Sequence, residues 1–263
     1  MIHQRGFYSD LNQKRSGYVT KYRNQWAEVL SDVAEASTEA FAGAGDLTTG
    51  RAKAFAALRN HRDEYQPVLR DNTLDVATVW SGEVLEHLKT QRSVPADPIY
   101  LIVGRKDPQG EEAGKQAATQ HLEDEAAELV QKIHDGTRKQ LQAILKTVFD
   151  EDLSHADAIK RMRSAWPGLT RARARRIART ETIRASGIGV EAAGRDAAFG
   201  VQYEWMATTD DRTRATHLAV DGVTRTPDGF FNVGGYEAKH PADTRLPPAE
   251  AVNCRCALAA VPL

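Results

Sequence analysis

The sequence predicts an α+β protein, a helical N-terminal region followed by a C-terminal domain of long helices packed on a small, mostly antiparallel sheet. Two observations predict it. Apolar residues recur at steps of three and four through most of the chain up to about Phe199, and beyond Gly200 the period changes to two, in short runs broken by Gly, Pro and Asp. The organisation that follows is a helical region over residues 1–91, a linker with one short strand over 92–120, and a C-terminal domain over 121–263.

The first helix is read from Val19, Tyr22, Trp26, Val29, Leu30 and Val33, which share one face between Arg15 and Phe41, and Gly43-Ala44-Gly45 ends it. A second helical stretch, Thr49 to Arg70, is expected to break at Pro67. Leu74, Val79, Val84, Leu85 and Leu88 continue the periodicity over Thr73 to Leu88. Pro95, Pro98, Pro108, Gly104, Gly110 and Gly114 then flank a β-branched run, Ile99 to Val103, which reads as a loop with a short strand. Helical pattern resumes from His121 to Phe149, with Asp135-Gly136 as a candidate bend. Ser154 is an N-cap for the next helix, expected to stop at Trp166-Pro167-Gly168, after which Thr170 caps a longer one from Arg171 to about Phe199. Val201, Tyr203, Trp205 and Ala207 alternate with polar neighbours as a half-buried strand does. Val223–Thr226 and Phe230–Val233 around Pro227-Asp228-Gly229 read as a hairpin, and Ala251–Ala260 as the last strand.

Composition sets outer bounds. The 263 residues are 41% hydrophobic and 27% charged, enough for at least one sizeable core. Mean hydropathy is −0.51, and no apolar run approaches the roughly 20 residues of a membrane helix, so no membrane partner is expected. The polar, basic first residues do not resemble a signal peptide. Two cysteines cannot form a disulfide framework, and a reducing compartment is expected. The net charge of −1 conceals an uneven distribution: Glu111 to Asp157 holds eleven acidic residues against five Lys or Arg, while Arg161 to Arg184 holds eight Arg and a single acid, Glu181.

On a helical wheel, Arg171, Arg175, Arg176 and Arg179 fall within about 140° of arc, with Arg173 and Arg184 near 200 to 220°. Ala174, Ile177, Ala178, Ala185 and Ile188 fill the opposite stripe, and Glu181 lies among them near 280°. A carboxylate turned toward a core needs a cationic partner. The loop residues Asp210, Arg212, Arg214, His217 and Asp221 supply candidates, and with Glu181 they are expected to form one polar cluster tying helix to sheet. The six arginines Arg171, Arg173, Arg175, Arg176, Arg179 and Arg184 are candidates for contact with phosphates or an acidic surface, which guanidinium forks suit; a solvated helix face accounts for them equally well.

Cys254 and Cys256 point to the same side if their segment is extended. They are either small apolar side chains closing the core or thiolate ligands of a zinc ion, with His217 as a nitrogen donor and His240, Asp221 or Asp243 as further candidates. A nucleophilic reading, Cys254 or Cys256 with His217 oriented by Asp221, lacks an oxyanion turn. Glu181 with Asp210 offers a site for a hard metal in phosphodiester cleavage. A metal-dependent hydrolase or nuclease using Glu181, Asp210, His217 and the cysteine pair is therefore the alternative to a binding or assembly function. No Walker loop, dinucleotide fingerprint or zinc-protease helix occurs.

Taken in order, Leu169-Thr170-Arg171-Ala172, Ile177-Ala178-Arg179-Thr180-Glu181, Trp205, Asp210-Asp211-Arg212-Thr213-Arg214 with His217, Asp221-Gly222 and Asn253-Cys254-Arg255-Cys256 resemble the phage Mu protein F-like minor head proteins, the phage head morphogenesis family. The resemblance runs from about Leu122 to Leu263 and is clearest after Leu169. It implies a structural or assembly protein of the virion, made in the host cytoplasm and present in few copies. It further implies association with the portal and the inside of the procapsid, and a connection with DNA packaging or delivery. The implied partners are the portal protein, the major capsid or scaffolding protein, and double-stranded DNA; an enzyme is not implied. Ala238-Lys239-His240 ahead of Pro241 departs from the family pattern. Residues before Leu122 carry no such likeness and are read as a helical docking arm.

Overall fold

The computed structural model describes residues 2–93 and 107–263. Four long helices dominate: α1 (Ile2–Ala42), α3 (Tyr65–Ser93), α4 (Pro108–Asp150) and α5 (His155–Asp196). A shorter α2 (Leu47–Asn60) follows α1, and a 3-10 turn, Arg62–Glu64, leads into α3. The C-terminal segment holds β1 (Val201–Met206), α6 (Ala215–Leu218), β2 (Thr224–Arg225), β3 (Phe231–Val233), β4 (Tyr236–Ala238), α7 (Pro248–Ala251) and β5 (Ala257–Pro262). This is the α+β architecture expected.

The chain groups into two compact units that interleave in sequence and cut across a partition at residues 91 and 121. One comprises Met1–Thr20, Asp71–Glu123 and Ala178–Leu263, the other Lys21–Arg70 and Asp124–Ile177.

The second unit is helical. Trp26, Leu30, Phe41, Leu58, Tyr65, Leu141, Val148 and Met162 are buried in it. The Trp26 and Tyr65 rings lie 6.2 Å apart, and the Tyr65 hydroxyl donates to Thr137. Asp46 caps α2 by accepting from the Thr49 amide at 2.9 Å. Ser154 caps α5 as expected, its hydroxyl oxygen accepting from the Asp157 amide and its hydrogen going to the Asp157 carboxylate. Two expected breaks do not occur. Pro67 sits in the first turn of α3, where its missing N–H has no intrahelical acceptor to lose, and the chain breaks instead at His61–Glu64. Pro167 is accommodated inside a continuous α5. Thr170, buried, does not cap a new helix but returns its hydroxyl to the Trp166 carbonyl. At Asp135-Gly136, read as a candidate bend, α4 is a continuous helix: Gly136 makes room for the Arg173 guanidinium, which donates to the Ile133 carbonyl.

In the first unit helices approach closely over small residues. A Cβ on Gly114 of α4 would lie 2.6 Å from the Ala77 carbonyl oxygen of α3, and Ala77, Ala118 and Ile188 form a core cluster. Because α4 begins at Pro108, residues 108–120, read as linker, are helical; the strand expected at 99–103 lies outside the described residues. The sheet has the order β2-β1-β5, antiparallel throughout, with Tyr203 opposite Arg225 and Ala260, and Trp205 opposite Leu258. β1 alternates buried and half-buried as its period predicted. The expected hairpin between residues 223 and 233 is replaced by two separate pairings. β2 joins β1, while β3 turns through Gly234-Gly235 into β4. Both glycines have positive φ, 60° and 88°, as a two-residue hairpin turn requires. The last strand starts later than expected, since α7 occupies Pro248–Ala251 and the Asn-Cys-Arg-Cys segment forms a turn ahead of β5.

Candidate functional site

The turn Asn253–Cys256 in the first unit is the meeting point of the sequence motifs. Asn253 has φ 62°, a left-handed conformation that Asn tolerates better than most residues. Two residues of the Ile-Ala-Arg-Thr-Glu stretch hold it: the Arg179 guanidinium donates to Asn253 Oδ1 at 2.7 Å, and the Asn253 amide donates to Thr180 Oγ1 at 3.0 Å. The Asp-Asp-Arg-Thr-Arg stretch and Thr208 just ahead of it hold the rest. Asp210 receives both terminal nitrogens of Arg255, Thr208 donates to the Arg255 carbonyl at 2.9 Å, and Arg214 donates to the Val252 carbonyl at 2.8 Å. The Arg255 guanidinium holds the Asp210 carboxyl well below the usual carboxylate range.

His217 of α6, only 1% exposed, faces both cysteines. Its Nδ1 is 3.3 Å from Cys256 Sγ and 3.5 Å from Cys254 Sγ. Its Nε2 lies 3.0 Å from Glu250 Oε2, within ion-pair range but outside hydrogen-bond alignment, and Thr216 donates to the same carboxylate oxygen at 2.9 Å. The Trp205 ring meets the His217 ring edge-on at 5.4 Å. Cys254 and Cys256 are buried and reduced. A hydrogen bond between the two sulfurs draws the Cys256 thiol well below the usual range and, together with burial, pushes Cys254 up. Among the described residues, His217, Cys254 and Cys256 form the one group of three side chains whose donor atoms could surround a metal ion, all within 4.8 Å of one another.

Two contributors from α1 carry no signal in the sequence. Arg15 of α1, buried, donates to the carbonyls of Arg255 at 3.0 Å and Cys256 at 2.9 Å, and burial lowers its pKa to about 10. Tyr8 accepts from the Ala260 amide at 2.8 Å and donates to the Ala260 carbonyl at 3.2 Å. Both belong to a helix whose periodicity shows only a buried face, since a lone Arg or Tyr there has no spacing partner.

Other expected residues have different places. Glu181 is buried as the wheel required, alongside Ala174, Ile177, Ala178, Ala185 and Ile188. Its partner, however, is Arg184, one turn along the same helix, rather than Arg212 or His217. Arg184 also donates to the Ala242 carbonyl at 2.9 Å, so it is a buried structural cation and not a surface contact. Arg212 is exposed beside Asp210, and Asp221 accepts from the Ala207 amide at 2.8 Å. The single cluster expected around Glu181 is thus two: the Glu181–Arg184 pair and the turn at Asn253–Cys256. Of the six arginines, Arg171, Arg175 and Arg176 are exposed, whereas Arg173 is turned to the Ile133 carbonyl and Arg179 to Asn253. Neither Glu181 nor Asp210 joins the His217–cysteine group, because each carboxylate is held by a guanidinium; the arrangement proposed for a hydrolase is not assembled among them. His240 packs against Gly187 of α5 with Nδ1 3.1 Å from the Pro241 carbonyl, and Asp243 accepts the amides of Lys239 and Arg245, so neither joins the group.

The model of the Phage Mu protein F like protein family matches residues 123–259, more than half of the chain. The chain belongs to that family. Over 93 residues this Mu F-like chain is 37% identical to the Minor head protein GP7 of Bacillus phage SPP1, covering 34% of the chain and 30% of that protein. Over 85 residues it is 38% identical to the NAD(+)--arginine ADP-ribosyltransferase EFV of Enterococcus faecalis (strain ATCC 700802 / V583), covering 31% of the chain and 17% of that protein. The matches thus span less than a third of either relative. No solved structure matches. No helix of the Mu F-like chain, among the described residues, is long and apolar enough to cross a membrane.

Proposed function

We propose that the protein is a minor head protein acting in phage head morphogenesis, carried on the portal inside the procapsid, with the exposed arginines of α5 facing packaged double-stranded DNA. The observation that carries this reading is the pairing of family membership with Arg171, Arg175 and Arg176 standing exposed on one helix. Their guanidiniums suit phosphate contact, and no aromatic residue interleaves with them between Arg171 and Arg184 in the sequence, which favours duplex backbone over unstacked bases. The major capsid or scaffolding protein is the second partner in this reading, and retention in the virion through DNA delivery its consequence.

Two experiments test it. Cross-linking and mass spectrometry on assembled procapsids are expected to join this chain to the portal protein; links to the outer shell surface alone would refute the placement. In DNA binding by the full chain, Arg171→Glu, Arg175→Glu and Arg176→Glu together are expected to abolish most affinity. If each arginine neutralises one phosphate, the salt slope should fall by about 3. Unchanged binding in the triple variant would remove the DNA contact and leave an assembly role on the portal.

A further inference from the structure

We infer that His217, Cys254 and Cys256 bind a zinc ion, an inference independent of where the protein sits in a phage head. One ring nitrogen, Nδ1 of His217, faces two sulfurs at 3.3 and 3.5 Å. A neutral imidazole nitrogen has either one proton or one lone pair, so it serves one sulfur well and the other poorly. A metal shared by all three atoms resolves this. With Zn–S near 2.3 Å and Zn–N near 2.0 to 2.1 Å, the N···S edge of a tetrahedron is about 3.6 Å, so a zinc ion fits if the group opens by a few tenths of an ångström.

The surroundings match that role. Glu250 stands 3.0 Å from Nε2 on the far side of the ring, where a carboxylate orients a metal-bound imidazole once a small ring rotation aligns the pair. Arg15 anchors the carbonyls of Arg255 and Cys256 and so fixes the backbone that carries the two sulfurs. All three donors are buried and Trp205 lies against the ring, which points to a metal taken up as the chain folds. Soft sulfur with imidazole selects zinc over magnesium or calcium. Zn²⁺ held by both sulfurs as thiolates and by the neutral imidazole gives a centre without net charge, whose fourth position takes a water molecule. The ion would tie α6 to the turn ahead of β5.

The test uses the full chain, stripped of metal under reducing conditions and titrated with Co²⁺ and then Zn²⁺. The expected result is one metal per chain, a thiolate-to-cobalt charge-transfer band, intense tetrahedral visible bands, and loss of both on adding zinc. Cys254→Ser and Cys256→Ser should each weaken binding at least a hundredfold. Glu250→Gln should weaken it tenfold to a hundredfold while leaving the cobalt spectrum tetrahedral. The wild-type titration decides the matter even if a cysteine variant fails to fold. A chain that gives no charge-transfer band, or a Cys254→Ser/Cys256→Ser double variant that keeps stoichiometric zinc, would overturn the inference. So would a Cys254–Cys256 disulfide in place of metal uptake after reduction.

Discussion

The two halves of α5 place the same residue type in opposite settings. In the half belonging to the helical unit, Arg171, Arg175 and Arg176 stand exposed while Ala174 and Ile177 are buried and Arg173 turns to the Ile133 carbonyl, so no carboxylate is buried with an arginine among these residues. In the half belonging to the sheet-bearing unit, Arg184 is buried on Glu181. In the same unit, Arg225 of β2 is buried on Glu191, its guanidinium 4.5 Å from the Tyr203 ring centroid. An arginine count therefore does not measure a binding surface. What decides is whether each guanidinium is buried in the fold or stands at its surface.

The comparison breaks most sharply at Glu181. Glu181→Ala leaves Arg184 buried without its carboxylate and is expected to cost about 3 to 5 kcal/mol in denaturant unfolding, whereas Glu181→Leu with Arg184→Met together should recover most of that. Equal losses in both variants would show that the pair is not a unit. Next, Tyr8→Phe strands the buried Ala260 amide and should cost about 1 to 3 kcal/mol, read from the same unfolding curves. Acid provides a third test. Burial holds His87 near 4 and His121 near 3, below the ordinary 6.5. The unfolded chain therefore binds more protons in this range. Their contribution to stability is complete above about pH 6.5 and falls as pH drops toward 4, by at most about 1.4 kcal/mol per pH unit for each histidine. His87→Phe should flatten that slope in a pH series of melting curves. The smallest effect belongs to the exposed half of α5, where the triple Arg→Glu variant is expected to change stability by no more than about 0.5 kcal/mol.

How much of this the sequence carried follows from the range of the interactions involved. The stripe through Ile177, Glu181 and Ile188, the alternation of β1 and the Ser154 cap are set by residues within a few turns, and they were legible. The continuity of α5 through Pro167 was not, because tertiary packing around Trp166 and Thr170 outweighs the local cost of a proline. The hairpin was misplaced because Pro227-Asp228-Gly229 is a strong turn signal, yet the φ values at Gly234 and Gly235 are those that close a two-residue loop. At the site, His217 and the cysteines were found from residue type. The partners Arg15, Tyr8 and Glu250 were not, since Arg15 and Tyr8 reach the site across more than 200 positions of chain and Glu250 acts through an imidazole nitrogen that no spacing reveals.

The central claim is that the motifs converge on Asn253–Cys256 and lock it as firmly as the sheet itself. Native-state hydrogen exchange at the amides of Asn253, Cys254 and Cys256 tests it most directly. Exchange as slow as that of Tyr203 and Trp205 in β1, requiring global opening, is the predicted result; rates typical of an exposed turn would contradict it.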